Sequence, residues 1–288
     1  MNVSGKTRIC GIIGYPIDHT LSPTIHNAAF KELDLDFIYV AFKVEKDRLR
    51  ETMEGMRALG IHGLNVTIPH KERVMPFLDE ISPEAKIIGS VNTILNQSNS
   101  LIGYNTDGIG AIRALEDNEV ELNQKKVILL GAGGAAKSIA FHLSQKAKEI
   151  VILNRTLDRG KKLAESLRSK FYVDVSWGQL SKEAISNHLK KADILINATS
   201  VGMNPKLDET LLDPNWLSPE VCVFDMVYGP VETKLIRDAK KIGAKTIDGI
   251  DMLIYQGAMA FNIWTGKVPP IKRMKEAIMQ KIIELTNK

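Results

Sequence analysis

The segment LNVTIPHKERV, residues 64–74, carries side chains that could bind a polar ligand. An apolar, β-branched run stops at Pro69, and Lys71 follows two positions later, at the start of a predicted helix. Lysines usually lie on exposed helix positions, where the ammonium group is solvated. Asn65 and Thr67 precede Lys71 and offer an amide and a hydroxyl. The segment therefore predicts a ligand-facing lysine; the alternative is a surface lysine whose stem packs along the chain.

A glycine turn in VILLGAGGAAKSIA has the spacing of a dinucleotide site. Gly131, Gly133 and Ala136 form G-x-G-x-x-A between a predicted strand and a predicted helix. The first glycine permits the tight turn, the second lets a pyrophosphate approach, and the small third residue allows close packing. The helix N-terminus then offers free N–H groups to the phosphates. The alternative is a turn whose glycines are only structural.

The end of the next predicted strand selects the nucleotide. An NAD site usually has Asp or Glu about 20 residues after the glycines, to bind the ribose 2′-hydroxyl. Here the sequence is Asn154, Arg155, Thr156, with Arg159 shortly after. An arginine fork suits a 2′-phosphate, which favours NADP. The alternative is that both arginines are solvated helix-start residues, and Asp158 leaves the use of NAD open.

Hydroxyl, amide and carboxylate side chains recur at the ends of the N-terminal strands. Thr20 and Ser22 precede a helix opened by Pro23, and two hydroxyls beside a helix N-terminus could hold a carboxylate. Alternatively, Ser22 is the N-cap of that helix. Open α/β sheets bind ligands at the carboxyl ends of their strands. The remaining candidates there are Asn65, Thr67, Lys71, Asn92, Asn105 and Asp107, although Asn and Asp also favour turns.

Strand and helix patterns alternate along the chain in two series. Near-continuous apolar strands of this kind are typical of parallel sheets that are buried on both faces. The predicted strands are 9–15, 36–42, 62–68 and 90–95, followed by 125–131, 149–154, 192–199 and 221–226. Residues 250–286 are predicted to form two helices. The pattern indicates two α/β domains with a boundary near residues 103–108.

Composition restricts the class of protein. The chain has 288 residues, of which 44% are hydrophobic and 25% charged, which is typical of a globular protein. The net charge of +4 is not concentrated in a basic run, so nucleic acid is not an expected partner. No apolar stretch approaches the ~18 residues of a membrane span, and the N-terminus lacks the apolar core of a signal peptide. We therefore expect a cytoplasmic protein without a membrane partner.

Cysteine and histidine placement does not suggest a metal site. Cys10 and Cys222 each lie in an apolar run and are predicted to be buried and reduced. The six histidines lack metal-ligand spacing. His70 is predicted to be a capping or solvated residue.

Nine ordered segments give the chain a resemblance to shikimate dehydrogenases, including the quinate/shikimate dehydrogenases, over essentially its whole length. The segments are GYPIDHTLSPTIHN, NVTIPHKE, GSVNTI, GYNTDG, LGAGGAAKSIA, NRT, NATSVGM, DMVYGP and GIDMLIYQGAMAFNIWTG. The resemblance implies a substrate domain (1–107 plus 252–288) and a Rossmann-like NADP-binding domain (108–251), separated by a cleft. It also implies NADP-dependent, reversible reduction of 3-dehydroshikimate to shikimate, a step of chorismate and aromatic amino acid biosynthesis.

The resemblance also implies residue roles. Lys71 and Asp107 would be the catalytic pair, with Lys71 as general acid in reduction and general base in the reverse direction. The substrate would be bound by Thr20, Ser22, Thr67, Asn92, Asp107, Tyr228 and Gln256. NADP would be bound by Gly131, Ala132, Gly133, Gly134, Ala135, Asn154, Arg155, Thr156 and Arg159, with Thr199, Met203, Met226 and Gly249 at the nicotinamide end.

Thr20 departs from the family pattern, which commonly has serine there. Its extra methyl group narrows the pocket and leaves open the use of quinate beside shikimate, with dual cofactor use. The sequence is also compatible with a non-catalytic NADP-binding regulator, or with an enzyme for another cyclic hydroxy acid or a folate-like substrate. The chain is expected to be a monomer or homodimer.

Overall fold

The computed structural model describes residues 3–203, 206–229 and 232–287. The chain divides into two compact units, Met1–Asp107 with Leu253–Lys288, and Gly108–Met252. Each unit contains its own six-stranded sheet. The predicted fold class, α/β with two domains, is confirmed.

The first unit is a mixed sheet with helices. Its strand order is β2-β1-β3-β5-β6-β4; β1 pairs parallel to β2 and β3, whereas β3–β5 and β5–β6 are antiparallel. The elements are β1 (Arg8–Gly14), α1 (Ser22–Glu32), β2 (Phe37–Lys43), α2 (Leu49–Ala58), β3 (Gly63–Val66), β4 (Glu80–Ile81), α3 (Pro83–Ile88), β5 (Thr93–Gln97) and β6 (Ser100–Tyr104).

The antiparallel part of this sheet was not predicted. Strands β5 and β6 form a hairpin whose two loop residues, Ser98 and Asn99, have φ of +53° and +70°. Positive φ at both loop positions is typical of a tight hairpin turn. The expectation of parallel pairing was therefore wrong for β3–β5 and β5–β6, whereas β4 and β6 pair in parallel. The short SLIGY strand carries only a weak apolar pattern.

The second unit is a fully parallel sheet with the strand order β12-β11-β10-β7-β8-β9. This is the strand order of a dinucleotide-binding fold, with the first strand of the unit in the middle, and the order reverses between β7 and β10. The elements are α4 (Asp107–Asp117), β7 (Lys126–Leu130), α5 (Gly134–Leu143), β8 (Glu149–Asn154), α6 (Leu157–Arg168), β9 (Asp174–Gln179), α7 (Lys182–Leu189), β10 (Ile194–Asn197), β11 (Cys222–Asp225), α8 (Lys234–Lys241) and β12 (Thr246–Ile247).

Two helices complete the chain, as the sequence predicted: α9 (Gly249–Thr265) and α10 (Ile271–Thr286). Helix α9 is anchored to the first sheet by Trp264, whose indole N–H donates to the Ile94 carbonyl at 3.0 Å. Gly63 leaves room for that ring, because a Cβ there would lie 2.3 Å from the Trp264 Nε1. This contact fixes the register of α9 against the sheet, and hence the place of polar residues further along the helix.

Apolar side chains pack into a buried core against the sheet of each unit. In the second unit, Ile128, Leu130, Val151, Leu153 and Leu195 belong to one buried cluster. Cys10 and Cys222 are buried and free, as predicted. Among the described residues, none of the helices is both long and apolar enough to cross a membrane.

The structure corrects two local predictions near the candidate residues. Lys71 lies in a turn, followed by a three-residue 3₁₀ helix at Met75–Phe77, so no helix begins there. Pro69 and Pro76 flank a segment too short for a stable helix, and each proline removes an N–H donor. Ser22 is the first residue of α1 rather than its N-cap, which is Leu21.

Candidate active site and nucleotide loop

Lys71 and Asp107 form a close ion pair in the first unit. The Lys71 Nζ lies 2.5 Å from the Asp107 Oδ2, and the two side chains are only 15% and 4% exposed. Asp107 is the first residue of α4, where free N–H groups favour a carboxylate. The turn that bears Lys71 is held to the strand region by the Val91 N–H, which donates to the Lys71 carbonyl at 2.8 Å. Burying a charged pair costs desolvation energy, so the Lys71–Asp107 pair is expected to add little to folding stability. The pair is therefore a good candidate for a functional role.

Asn92 links this pair to two further predicted residues. Its Nδ2 donates to the Asp107 Oδ1 at 2.8 Å, to the Thr106 Oγ1 at 2.9 Å and to the Gln256 Oε1 at 3.3 Å. Gln256 comes from α9 and is anchored by its own Nε2, which donates to the Leu253 carbonyl at 2.8 Å. The structure thus brings Lys71, Asp107, Asn92 and Gln256 into one polar cluster, although 164 residues separate Asn92 from Gln256.

The two hydroxyls before α1 are also adjacent. The Thr20 Oγ1 donates to the Ser22 Oγ at 3.3 Å and accepts from the Ser22 N–H at 3.3 Å. Thr67 lies beside the end of β1, since a Cβ at Gly14 would be 2.5 Å from its Cγ2. Within the described part of the chain, the hydroxyl of Thr67 makes no hydrogen bond and remains available to a ligand.

The prediction for His70 was wrong, because this side chain is fully buried. Its Nε2 lies 2.8 Å from the Val44 carbonyl oxygen, so it donates to that carbonyl. Burial lowers the pKa of the imidazole, which favours the neutral ring. His70 therefore anchors the turn immediately before Lys71. Only the tertiary packing reveals this role.

The glycine turn of the second unit fits a pyrophosphate. Gly131 has φ of +109°, and a Cβ there would lie 2.9 Å from the Ala198 carbonyl oxygen, so this position requires glycine. At Gly133, a Cβ would meet nothing within 4 Å. A purely structural turn has no need of glycine at that open position, whereas a phosphate approaching the backbone does. Ala132 and Ala135 share the segment, Ala136 is fully buried against the sheet, and α5 begins at Gly134.

Two side-chain hydrogen bonds hold the backbone of the segment after β8. The Asn154 Nδ2 donates to the Thr156 carbonyl at 2.8 Å, and the Gln179 Nε2 donates to the Arg155 carbonyl at 2.9 Å. Thr156 is the N-cap residue of α6, yet its hydroxyl accepts no capping hydrogen bond. These contacts leave the hydroxyl of Thr156 and the side chain of Arg155 facing outward.

The charges on this segment favour a phosphate. Arg155 and Arg159 are exposed. Among the described residues, the Arg155 guanidinium makes no hydrogen bond or ion pair. Asp158, the one nearby acid, is paired with Lys162 at 2.7 Å, which offsets its repulsion of an anion. The Arg155 fork is therefore available for a charge-assisted, bidentate contact.

The predicted nicotinamide-end residues follow three neighbouring strands of the second sheet: Thr199 and Met203 come after β10, Met226 after β11 and Gly249 after β12. The Thr199 Oγ1 donates to the Asn197 Oδ1 at 2.7 Å, and the Met226 N–H donates to the Asn197 carbonyl at 3.0 Å. A Cβ at Gly249 would lie 2.6 Å from the Met226 carbonyl oxygen. Met203 is 40% exposed, and Tyr228 is half-buried. The second unit thus holds Thr199, Met226 and Gly249 near one strand edge.

Asp225 supports this edge, and the sequence reasoning missed it. It is fully buried and accepts from the Asn197 Nδ2 at 2.9 Å, the Val227 N–H at 3.1 Å and the Thr233 hydroxyl at 2.6 Å. Burial raises the pKa of this carboxyl to about 6. The sequence signal that could have identified Asp225 is a carboxylate at the end of an apolar strand, in VCVFDM. In the described ranges, no three His, Cys, Asp or Glu residues are grouped to hold a metal ion.

Three family profiles match successive parts of the chain. The profile described as "Shikimate dehydrogenase substrate binding domain" matches residues 12–94. "Shikimate / quinate 5-dehydrogenase" matches residues 113–213, and "Shikimate 5'-dehydrogenase C-terminal domain" matches residues 249–279.

Individual relatives match over nearly the full length. The NADP(+) shikimate dehydrogenase of Methanocaldococcus jannaschii is 47% identical, covering 97% of this chain and 99% of its own. A crystal structure of shikimate dehydrogenase with NADP+ has a TM-score of 0.90 at 45% identity, covering 98% of both chains. The Listeria monocytogenes enzyme, solved with shikimate and NAD, has a TM-score of 0.87 at 38% identity, covering 96% of this chain and 98% of its own.

A relative with another named substrate is also similar in structure. Quinate dehydrogenase from Corynebacterium glutamicum, in complex with NAD, has a TM-score of 0.86 at 29% identity, covering 95% of this chain and 99% of its own. The fold is thus shared by enzymes named for shikimate and for quinate. From the three matched profiles and the full-length relatives, this chain belongs to the shikimate dehydrogenase family of oxidoreductases.

Proposed function

We propose that this chain interconverts 3-dehydroshikimate and shikimate, with NADP as the hydride carrier. The observation that carries the proposal is the buried Lys71–Asp107 pair, together with the amides of Asn92 and Gln256 in the same unit. A fold alone does not select a reaction. A largely buried ammonium group in contact with a carboxylate supplies what a ketone reduction needs from the protein, namely a positioned proton.

Lys71 would donate a proton to the developing alkoxide in ketone reduction and accept the hydroxyl proton in the reverse reaction. Asp107 accepts a hydrogen bond from the Lys71 ammonium at 2.5 Å and thereby fixes its position. NADP, when bound, supplies or accepts the hydride. General acid–base catalysis of this kind contributes about 10²- to 10⁴-fold to the rate.

The first unit would hold the substrate. Asn92 and Gln256 present amide groups beside the Lys71–Asp107 pair, and with Thr67 they would bind ring hydroxyls. Thr20 and Ser22, at the N-terminus of α1, would hold the carboxylate, because their two hydroxyls lie side by side at the positive end of the helix dipole. This matches the family description of residues 12–94 as a substrate-binding domain.

The second unit would hold NADP. The glycine turn with its open face at Gly133 suits the pyrophosphate, and Arg155 with Thr156 suits the 2′-phosphate. An anionic group of charge near −2 gains most from an unpartnered arginine fork, because bidentate pairing adds both energy and orientation. The curated relative from Methanocaldococcus jannaschii carries NADP(+) in its name, which supports this choice.

A matrix of initial rates tests the proposal. The purified chain is assayed for nucleotide reduction with shikimate or quinate as substrate, each with NADP or NAD. We expect kcat/KM to be highest for shikimate with NADP. Absence of nucleotide reduction in all four arms would exclude catalysis on these substrates. It would favour a non-catalytic NADP-binding protein or another cyclic hydroxy acid substrate.

Quinate is the second candidate substrate, and the structural similarity to a quinate dehydrogenase is the observation that favours it. Thr20 bears on the choice between the two substrates, because it carries a methyl group where the family commonly has serine and its hydroxyl contacts Ser22. A higher kcat/KM for quinate than for shikimate in the same matrix would replace the first candidate by the second.

A further inference from the structure

We propose that Tyr39 is a positioning residue for the Lys71–Asp107 pair and acts through a directed chain of buried hydrogen bonds. The inference deepens the proposed function and rests on it. Tyr39 lies on β2 and is only 1% exposed. It is far from Lys71 in the sequence, and nothing in the local pattern of β2 connects it with catalysis.

The hydrogen bonds run from the Tyr39 phenol to the Asp107 carboxylate. The Tyr39 hydroxyl donates to the Asn65 Oδ1 at 2.7 Å, and the Asn65 Nδ2 donates to the Thr93 Oγ1 at 3.1 Å. The Thr93 hydroxyl donates to the Asn92 Oδ1 at 3.0 Å, and the Asn92 Nδ2 donates to the Asp107 Oδ1 at 2.8 Å. Every donor points towards the ion pair.

This direction determines how the Asn92 amide is oriented. An amide side chain has an acceptor end and a donor end, whereas a hydroxyl can serve as either. Because the Tyr39 hydroxyl donates to the oxygen of Asn65, the NH₂ group of Asn65 faces Thr93. The Thr93 proton then turns to the Asn92 Oδ1 at 3.0 Å, which is nearer than its other possible acceptor, the Thr106 Oγ1 at 3.5 Å. That leaves the NH₂ group of Asn92 for the Asp107 carboxylate.

Exchanging the positions of the oxygen and the NH₂ group of the Asn92 amide would disturb the Lys71–Asp107 ion pair. The Asn92 Oδ1 would then face the Asp107 Oδ1 and the Gln256 Oε1, three oxygens without a proton to share. Repulsion would displace the carboxylate that holds the Lys71 ammonium. Buried networks of this kind fix one arrangement only when every donor has an acceptor. Thr106 reinforces the same orientation, since its backbone N–H donates to the Asn92 Oδ1 at 2.8 Å.

The ring of Tyr39 is held by stacking. His26 lies against it with centroids 4.3 Å apart and planes 9° apart, and Trp264 lies 5.9 Å away. His26 is fully buried, and neither ring nitrogen has a hydrogen-bond partner within the described residues. Burial lowers the pKa of His26 to about 3, so it packs as a neutral ring. The backbone is fixed as well, because the Asn27 side chain pairs with both the N–H and the carbonyl of Tyr39 at 2.9 Å.

Replacing the phenol by a phenyl ring removes the first donor and keeps the packing. For Tyr39→Phe we expect kcat for shikimate oxidation to fall about tenfold, the effect of one buried hydrogen bond. The KM for NADP should stay within about twofold of the wild-type value, because other residues would bind the nucleotide. Tyr255→Phe is the matched control: it removes another buried phenol hydroxyl of the first unit and should leave kcat unchanged.

A double-mutant cycle with Thr93→Val separates positioning from simple loss of stability. The valine interrupts the chain at its middle, so adding Tyr39→Phe to it should lower kcat by less than about twofold more. If the kcat losses of the two single variants multiply in the double variant, the positioning role is overturned. A wild-type kcat in Tyr39→Phe would also overturn it; in both cases, activity of the parent enzyme leaves the proposed function standing. A parent enzyme that oxidises neither shikimate nor quinate would overturn the proposed function and this inference together.

Discussion

Removing the Arg155 guanidinium should impair the use of NADP without impairing the use of NAD. The side chain is exposed and, among the described residues, has no partner. Its backbone carbonyl accepts a hydrogen bond from Gln179, so the position is held while the fork remains available. The nearest acid, Asp158, is paired with Lys162 at 2.7 Å. Arg155→Ala therefore removes one charge that could bind a 2′-phosphate and breaks no contact within the described protein.

The size of the effect follows from the exposure of the contact. Charge-assisted hydrogen bonds contribute about 1.5–3 kcal/mol, and solvent exposure places Arg155 in the lower half of that range. The KM for NADP should therefore rise about 10- to 40-fold. The KM for NAD, which lacks the phosphate, should change by less than about twofold. The preference should also weaken in wild type as salt concentration rises, because exposed charge contacts are screened.

The assay compares kcat/KM for NADP and NAD at saturating shikimate. Arg168→Ala is the matched control, since it removes the same charge from an exposed arginine whose guanidinium lies 4.9 Å from the Trp177 ring. The control should keep the wild-type nucleotide preference. An equal loss for NADP and NAD in Arg155→Ala, or the same result in Arg168→Ala, would refute the assignment of Arg155 to the phosphate.

Two further predictions concern stability. Gly63→Ala should lower the unfolding free energy by about 1–3 kcal/mol, because the new methyl group would lie 2.3 Å from the Trp264 Nε1. Gly55→Ala, where nothing lies within 4 Å, should be neutral or stabilising; equal urea midpoints for the two variants would contradict the packing argument. Burial raises the pKa of Asp225 from 3.8 to about 6. The protonated carboxyl group therefore stabilises the folded state fully below about pH 4, and this stabilisation is lost as the pH rises through 6. Relative to Asp225→Asn, wild type should lose about 3 kcal/mol of unfolding free energy between pH 4 and pH 7, and a pH-independent difference would argue against it.

The sequence predicted the elements whose pattern is local. Strands β7, β8, β10 and β11 of the second unit are near-continuous apolar runs, and the spacing of Gly131 and Gly133 defines the turn after β7. Strands β6 and β9 were missed because their burial is mixed and their apolar runs are broken by glycine. The antiparallel pairing of β5 and β6 depends on a two-residue turn that contains no glycine.

Long-range contacts in the site were beyond sequence reasoning. The motifs placed Lys71 and Asp107 at element ends, but their 2.5 Å contact joins residues that are 36 positions apart in the sequence. The burial of His70 depends on the Val44 carbonyl, which lies 26 residues away in the sequence. The hydrogen bond from Tyr39 to Asn65 likewise joins two strands, and a tyrosine in an apolar strand is ordinarily a packing residue.

Single-turnover oxidation of shikimate by Lys71→Met tests the central claim, which is that the Lys71 ammonium group moves the proton. Methionine keeps most of the apolar stem and removes the ammonium group. Lys126→Met is the control, because Lys126 is also paired and only 18% exposed but belongs to the second unit. We predict that the rate of the chemical step falls about 10²- to 10⁴-fold in Lys71→Met and stays near wild type in the control. A Lys71→Met enzyme with a near-wild-type chemical step, and only weaker shikimate binding, would contradict the account.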